Sequence, residues 1–306
     1  MAKELRINIR DAVEDVEENF DCTLISYVAN IGAPESSIVH NDAILLDDLL
    51  YNLPADDQGK KKFRRVGLFL HSGGGIMESA IKFVDVIRQY ADEYIVIVPL
   101  MAKSAATLMV LSADRQYFTT VSELGPVDPV VQSPMNPQVQ VPATAIENFI
   151  KWAAKSPEAT QSGKEAYAVM KDIPADLRNL VDPYLLGAYQ TSIKFSQDEL
   201  KRILPLYAMK GRSEREIADA VEEFTTVHKS HGYPITLTKL EQFGIGERIK
   251  DEDKLGSVKM LLIVFQQFMA NSNIVKLIGN RFENKNITIT ARQGMATQQS
   301  PTKTSI

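Results

Sequence analysis

Two stretches hold the residue types from which a catalyst could be assembled. LHSGGG, residues 70–75, closes a run of aliphatics, and MAKSAAT, residues 101–107, follows another. Consecutive glycines at 73, 74 and 75 remove every Cβ from a turn, so its backbone can adopt positive φ and approach a ligand closely. Nucleotide chemistry is disfavoured there. No G-x-x-x-x-G-K-[ST] phosphate loop exists, and Glu78 stands where the third glycine of G-x-G-x-x-G belongs. A carboxylate at that point would also repel a pyrophosphate. Two roles remain, a tightly packed turn or a set of N–H donors to a developing oxyanion. Ser104 has the same duality. It can cap the apolar helix that follows it. It can also be a nucleophile raised on a strand-loop-helix turn, with Ala105 and Ala106 leaving room for a substrate backbone.

A serine needs a base. Lys103 is adjacent, but neighbouring side chains at a helix start diverge. Lys151, Lys155 and Lys164 could complete a Ser/Lys dyad if the helical region folds back; otherwise each is a solvated surface residue. His40 and His71 precede the serine, and His228 and His231 follow it. His71 adjoins the glycine turn as a polar residue at a strand end, and His228 reads as a solvated position in a charged helix. His231, in HGYP, sits in a turn before Pro234, where helices stop; such a turn is either plain surface or a rigid mount for an imidazole. Asp128, in GPVDP, is either an Asx-turn residue or a carboxylate that orients a histidine. Spacing leaves these alternatives open. Four scattered histidines and one cysteine offer no metal-ligand spacing, and no cofactor motif is present.

The elements that must carry these residues alternate clearly. CTLISYVAN (22–30) reads as a strand, and NDAILLDDLLYNL (41–53) as a helix with Asn41 or Asp42 near its start. RRVGLFLHS is a nearly continuous apolar run, as expected of a strand buried on both faces. Met77, Ala80, Ile81, Val84 and Ile87 then follow helical spacing. YIVIVPL (94–100), AATLMVLSA (105–113) and RQYFTTV (115–121) continue as strand, helix and strand. Repeated β-α-β units imply right-handed crossovers and a mainly parallel sheet. Helical patterns dominate from 143 to 230, a helix is expected near 256–271, and NITITAR (286–292) is β-like. The division is an N-terminal helical arm (1–20), a catalytic-type domain (21–255) with a helical insertion at 143–230, a helix-and-strand extension (256–292), and a disordered polar tail (293–306).

Composition narrows the function class. A formal charge of -5 without a basic stripe argues against a general nucleic-acid binder. The first twenty residues are charged throughout, unlike a signal peptide, and runs such as MLLIVF are far short of a membrane span. Cys22 is the only cysteine, so no internal disulfide forms and a reducing cytoplasm fits.

Three segments, LHSGGG, MAKSAATLMVLSADRQYFTTVSELGPVDP and SHGYPITLTKLEQFGI, together resemble the serine dehydrogenase proteinases, a family of the Clp protease/crotonase superfamily related to signal peptide peptidase A. The resemblance implies a ClpP/crotonase-like α/β fold with a helical C-terminal half and a serine endopeptidase activity without cofactor. It implies Ser104 as nucleophile, His231 as general base and Asp128 as its orienting carboxylate. The oxyanion hole would come from the N–H groups of Gly74 or Gly75 and of Ala105. No histidine lies between Ser104 and His228, so the Clp protease order, histidine before aspartate, does not apply. A peptide or protein substrate and a homo-oligomer (trimer, hexamer or ring) are further implications. The alternatives are a dyad with Lys155 or Lys151, an inactive scaffold subunit that keeps the fold, and crotonase-like acyl-CoA chemistry, for which no CoA pocket is legible.

Overall fold

The computed structural model describes residues 8–54, 62–132, 140–142, 183–228, 230–281 and 287–290. The segments 143–182 and 293–306, which hold part of the expected insertion and the polar tail, lie outside the described residues.

Helix α1 (Ile9–Phe20) begins where the Asn8 side chain accepts the Asp11 N–H at 2.8 Å, and it buries Ala12, Val13, Val16 and Phe20. Then follow β1 (Thr23–Ala29), α2 (His40–Tyr51), β2 (Phe63–His71), α3 (Met77–Tyr90) and β3 (Ala91–Val98). After them come β4 (Met101–Ala102), α4 (Ala105–Leu111), β5 (Arg115–Phe118), β6 (Glu123–Leu124), β7 (Val130–Gln132) and β8 (Gln140–Pro142). Helices α5 (Pro183–Ile203) and α6 (Glu214–Thr225) precede β9 (Ile235–Thr236), α7 (Leu237–Phe243), β10 (Glu247–Arg248), α8 (Glu252–Ala270), β11 (Ile274–Gly279) and β12 (Ile287–Thr290).

The main sheet has the order β10-β5-β3-β2-β1-β11-β12. Its strands run parallel from β10 to β1, and β11 and β12 are antiparallel additions at one edge. Because side chains alternate across a strand, the apolar runs split between two cores. Ile25, Tyr27, Leu68, Leu70, Val96 and Val98 face α2, α3 and α4. Leu24, Val28, Phe69, Ile95 and Ile97 face α1 and α8. The result is a sheet sandwiched between helical layers, with each fully buried Leu, Ile or Phe contributing about 1.5–3 kcal/mol.

Sequence periodicity did not reveal β11. IVKLIG contains Lys276, a residue type that rarely lies fully buried, yet Lys276 is 0% exposed. The last long helix starts at Glu252 because the Asp251 carboxylate accepts the Lys254 N–H at 2.9 Å. Helix α6 stops at Thr225, so His228 lies in the following turn rather than in a helix.

A second, three-stranded sheet has the order β4-β6-β9. No sequence pattern announces it, since each strand is two residues long. It positions the site.

Candidate active site

Ala102 pairs with Leu124 in a parallel ladder, and Leu124 pairs with Ile235 in an antiparallel one. On the other side of Ala102, Ser72 forms a parallel bridge, through Ser72 N–H to Met101 O (3.2 Å) and Lys103 N–H to Ser72 O (3.0 Å). Ser72, Ala102, Leu124 and Ile235 thus form one row. Three of these segments run the same way and the fourth runs opposite. The chain after Ser72, Ala102 and Leu124, and the chain before Ile235, therefore all leave the row at the same edge. Those continuations carry the glycine turn, Ser104, Asp128 and His231.

Ser104 adopts φ 51 and ψ −124, one of two positive-φ non-glycine residues among those described. Such a conformation costs on the order of 1–3 kcal/mol and persists only where the surroundings impose it. The helix that follows is wholly buried, so the backbone must turn sharply to reach it. Ser104 stands at the N-cap position, but its side chain accepts no capping N–H. The hydroxyl is thus left available for chemistry. Thr107 secures this corner: its buried hydroxyl lies 2.8 Å from Ala102 O, to which it donates, and accepts the Gly125 N–H at 3.2 Å.

The glycine turn presses against the serine. At Gly74 (φ +98) a Cβ would lie 2.5 Å from Lys103 O and 2.7 Å from Ser104 Cβ. Only glycine fits, both for the conformation and for the space. The Gly74 N–H donates to Ser72 Oγ at 3.1 Å. The N–H groups of Gly75 and Ala105 have no protein partner among the described residues.

His231 Nδ1 lies 2.5 Å from Asp128 Oδ1, within a charge-assisted hydrogen bond in which the imidazole donates. The Asp128 side chain is 1% exposed and that of His231 is 28% exposed. A buried carboxylate holding one ring nitrogen of an accessible imidazole sets its tautomer and leaves Nε2 as the free acceptor. Two contacts from α6 place this pair. Val127 N–H, next to Asp128, donates to Phe224 O at 2.6 Å. Glu223 Oε1 lies 2.9 Å from His228 Nε2, and the His228 ring stacks on Tyr233 with centroids 3.7 Å apart. The His231 turn is thereby held from both sides. His228 is an anchor with a largely buried side chain, against the solvated position expected from sequence.

The other candidates separate cleanly. Lys103 Nζ is bound to Glu123 Oε1 (2.7 Å) and Leu124 O (3.1 Å), so it fastens β6 to the serine loop. His71 is mostly buried at the end of β2, and burial holds its imidazole below the ordinary histidine range. Lys151, Lys155 and Lys164 lie outside the described residues. Ser72, Thr107 and Glu223 escaped sequence reasoning because a polar residue in a loop or helix carries no mark of the partner it will meet. Among the described residues no helix is long and apolar enough to cross a membrane.

The chain belongs to the ClpP-like SDH-type serine proteinases, whose family model matches residues 58–291. An uncharacterized protein of Methanocaldococcus jannaschii is 24% identical over 186 residues, covering 60% of this chain and 54% of that protein. The chain therefore spans about half the length of the curated relative it matches. Among solved structures, a serine-to-alanine mutant of a membrane-bound stomatin-specific protease aligns with 14% identity and a TM-score of 0.41, over 83% of this chain and 87% of that one. A lysine-to-alanine mutant of the same protease, solved with a substrate peptide, gives 15% identity and 0.41 over 83% of each chain. A ClpP1 mutant of Listeria monocytogenes gives 14% and 0.40, over 78% of this chain and 98% of that one.

Proposed function

We propose that the chain is a serine endopeptidase in which Ser104 is the nucleophile, His231 the general base and Asp128 the residue that orients it. The observation that carries this reading is the short Asp128–His231 hydrogen bond at the same sheet edge as a strained, uncapped Ser104. Ser104 Oγ attacks the scissile carbonyl carbon while His231 Nε2 takes the hydroxyl proton. The imidazolium that forms is stabilised by the Asp128 carboxylate. The carbonyl oxygen, now an anion, is held by the N–H groups of Gly75 and Ala105. Gly74 contributes by lacking a side chain, since its own N–H is bonded to Ser72. Collapse of the tetrahedral adduct passes the proton from His231 to the leaving amine, and water then repeats the sequence on the acyl-enzyme.

An extended peptide suits the site because a backbone free of Cβ atoms can be approached at strand spacing. Ser104 and His231 share no hydrogen bond in the structure, and the proposal requires this contact to form when substrate seats. A homo-oligomer is part of the proposal, and light scattering on the purified chain reads it directly.

A fluorophosphonate probe tests the assignment. Wild-type protein is expected to be phosphonylated at Ser104, Ser104→Ala to be unlabelled, and His231→Ala to label at least about a thousandfold more slowly. Labelling that persists in Ser104→Ala would remove the nucleophile. Normal labelling of His231→Ala would move the base elsewhere, to a lysine in the first instance.

A further inference from the structure

Lys276 and Asp42 form an ion pair buried far more deeply than its neighbours, at 0% and 1% side-chain exposure. Lys276 Nζ donates to Asp42 Oδ1 (2.9 Å), Asp42 Oδ2 (3.0 Å) and Ser37 O (2.9 Å), which uses all three of its protons. Asp42 Oδ2 also accepts the Tyr27 hydroxyl at 2.7 Å and the Val39 N–H at 3.0 Å. Burying two charges is expensive, and a pair like this is often replaced by apolar side chains with no loss of stability. Its presence calls for a reason besides stability.

The network grips Ser37 O and Val39 N–H, the backbone groups on either side of Ile38. Ile38 in turn grips the glycine turn. Its N–H donates to Gly74 O at 2.9 Å, and its carbonyl accepts the Ile76 N–H at 2.9 Å. A Cβ on Gly75 would lie 2.4 Å from both Ile38 N and Ile38 O, so the two backbones touch. Gly74 C=O and Gly75 N–H belong to one planar trans peptide and point in opposite directions. Holding the carbonyl toward Ile38 therefore aims the Gly75 N–H away from Ile38. That N–H is one of the two donors without a protein partner among the described residues.

We propose that Lys276 and Asp42 are positioning residues that lock the Gly74–Gly75 peptide through Ile38 and so aim one of the two oxyanion donors. The catalytic part of this inference rests on the proposed Ser104 chemistry; the conformational part does not. Neither residue touches the substrate. Their action reaches the site through one strap of backbone.

The test uses the full chain with the double substitution Lys276→Met and Asp42→Leu, which removes both charges together, and Asp42→Asn as a milder second variant. Amide hydrogen exchange is measured at Ile38, Gly75 and Ile76, with amides of β3 as the control for folding. Fluorophosphonate labelling rate and the split between kcat and KM on a fluorogenic peptide are measured alongside. The expected result is exchange at Ile38 and Ile76 faster by about tenfold or more with β3 protection intact, labelling and kcat lower by about 10–100-fold, and KM nearly unchanged. Should the double variant fail to fold, the same pattern at smaller amplitude is expected of Asp42→Asn. Unchanged exchange at Ile38 and Ile76 in a folded variant overturns the proposal. Faster exchange with an unchanged labelling rate overturns its catalytic part. If wild-type protein is never labelled, the Ser104 reading fails, and the exchange data alone still decide whether the ion pair locks the peptide.

Discussion

The glycine turn continues β2, a nine-residue strand inside the main sheet, and runs straight into the fourteen residues of α3. The histidine turn instead sits between the end of α6 and a two-residue strand at the rim of the minor sheet. Behind the first lies a buried, fully hydrogen-bonded ion pair; behind the second lies a ring stack and a glutamate, with His231 itself accessible. The contrast fits the two tasks. Donors to an oxyanion act best when preorganised, because any reorientation during reaction is a cost. A general base must receive a proton and hand it on to two different partners, which a less confined imidazole allows. Depth of burial thus follows the proposed chemical roles.

Breaking the histidine half at its buried member should produce the largest effect. Asp128→Asn keeps the shape but removes the negative charge and lets an amide N–H face the ring, so the His231 tautomer is no longer fixed. A fall in kcat of about 10⁴-fold is expected, with little change in melting temperature. Peptide turnover and calorimetry on the same sample check it. Retention of full activity would leave His231 without an orienting role for Asp128.

On the glycine half, Gly74→Ala places a methyl 2.5 Å from Lys103 O and 2.7 Å from Ser104 Cβ, at φ +98. Expected are a stability loss of about 1–3 kcal/mol and a labelling rate lower by about 100-fold, since the displaced corner carries the proposed nucleophile. Urea unfolding and probe kinetics read the two separately. A smaller disturbance comes from Glu223→Gln, which weakens the anchor of His228 without touching His231. The expected result is a loss of about 1–2 kcal/mol with kcat down about tenfold. An effect equal to that of Gly74→Ala would mean that the histidine half is as preorganised as the glycine half.

The smallest effect concerns pH. His71 is held neutral by burial, with its folded pKa depressed. Below about pH 6.5 the unfolded chain binds a proton that the folded chain resists, so stability falls as pH drops through that value. His71→Asn should flatten this acid slope between pH 7.5 and 5 by about 1 kcal/mol or less, as read by urea midpoints at both pH values.

How much of this was legible beforehand depended on the range of the signal. The alternation of RRVGLFLHS, MESAIKFVDVI and YIVIVPL marks parallel β-α-β units, because period and apolar content reflect local burial. The glycines at 74 and 75 and the serine at 104 stood out because their residue types are suited to sharp turns. Asp128 and His231 were each ambiguous on local grounds and came forward through a family resemblance. Lys276 gave a misleading signal, since a lysine inside an apolar run argues against burial until its partner, 234 positions away, is known.

Sequence alone determined the β-α-β units, the mainly parallel sheet and the family, because those follow from periodicity and local motifs. Tertiary structure decided which polar residues meet. Two-residue strands at 101–102, 123–124 and 235–236 carry no periodicity of their own, yet their pairing brings Ser104, Asp128 and His231 to one edge. The same holds for the strap at Ile38. A backbone hydrogen bond depends on no side chain at either end, so no residue type records it.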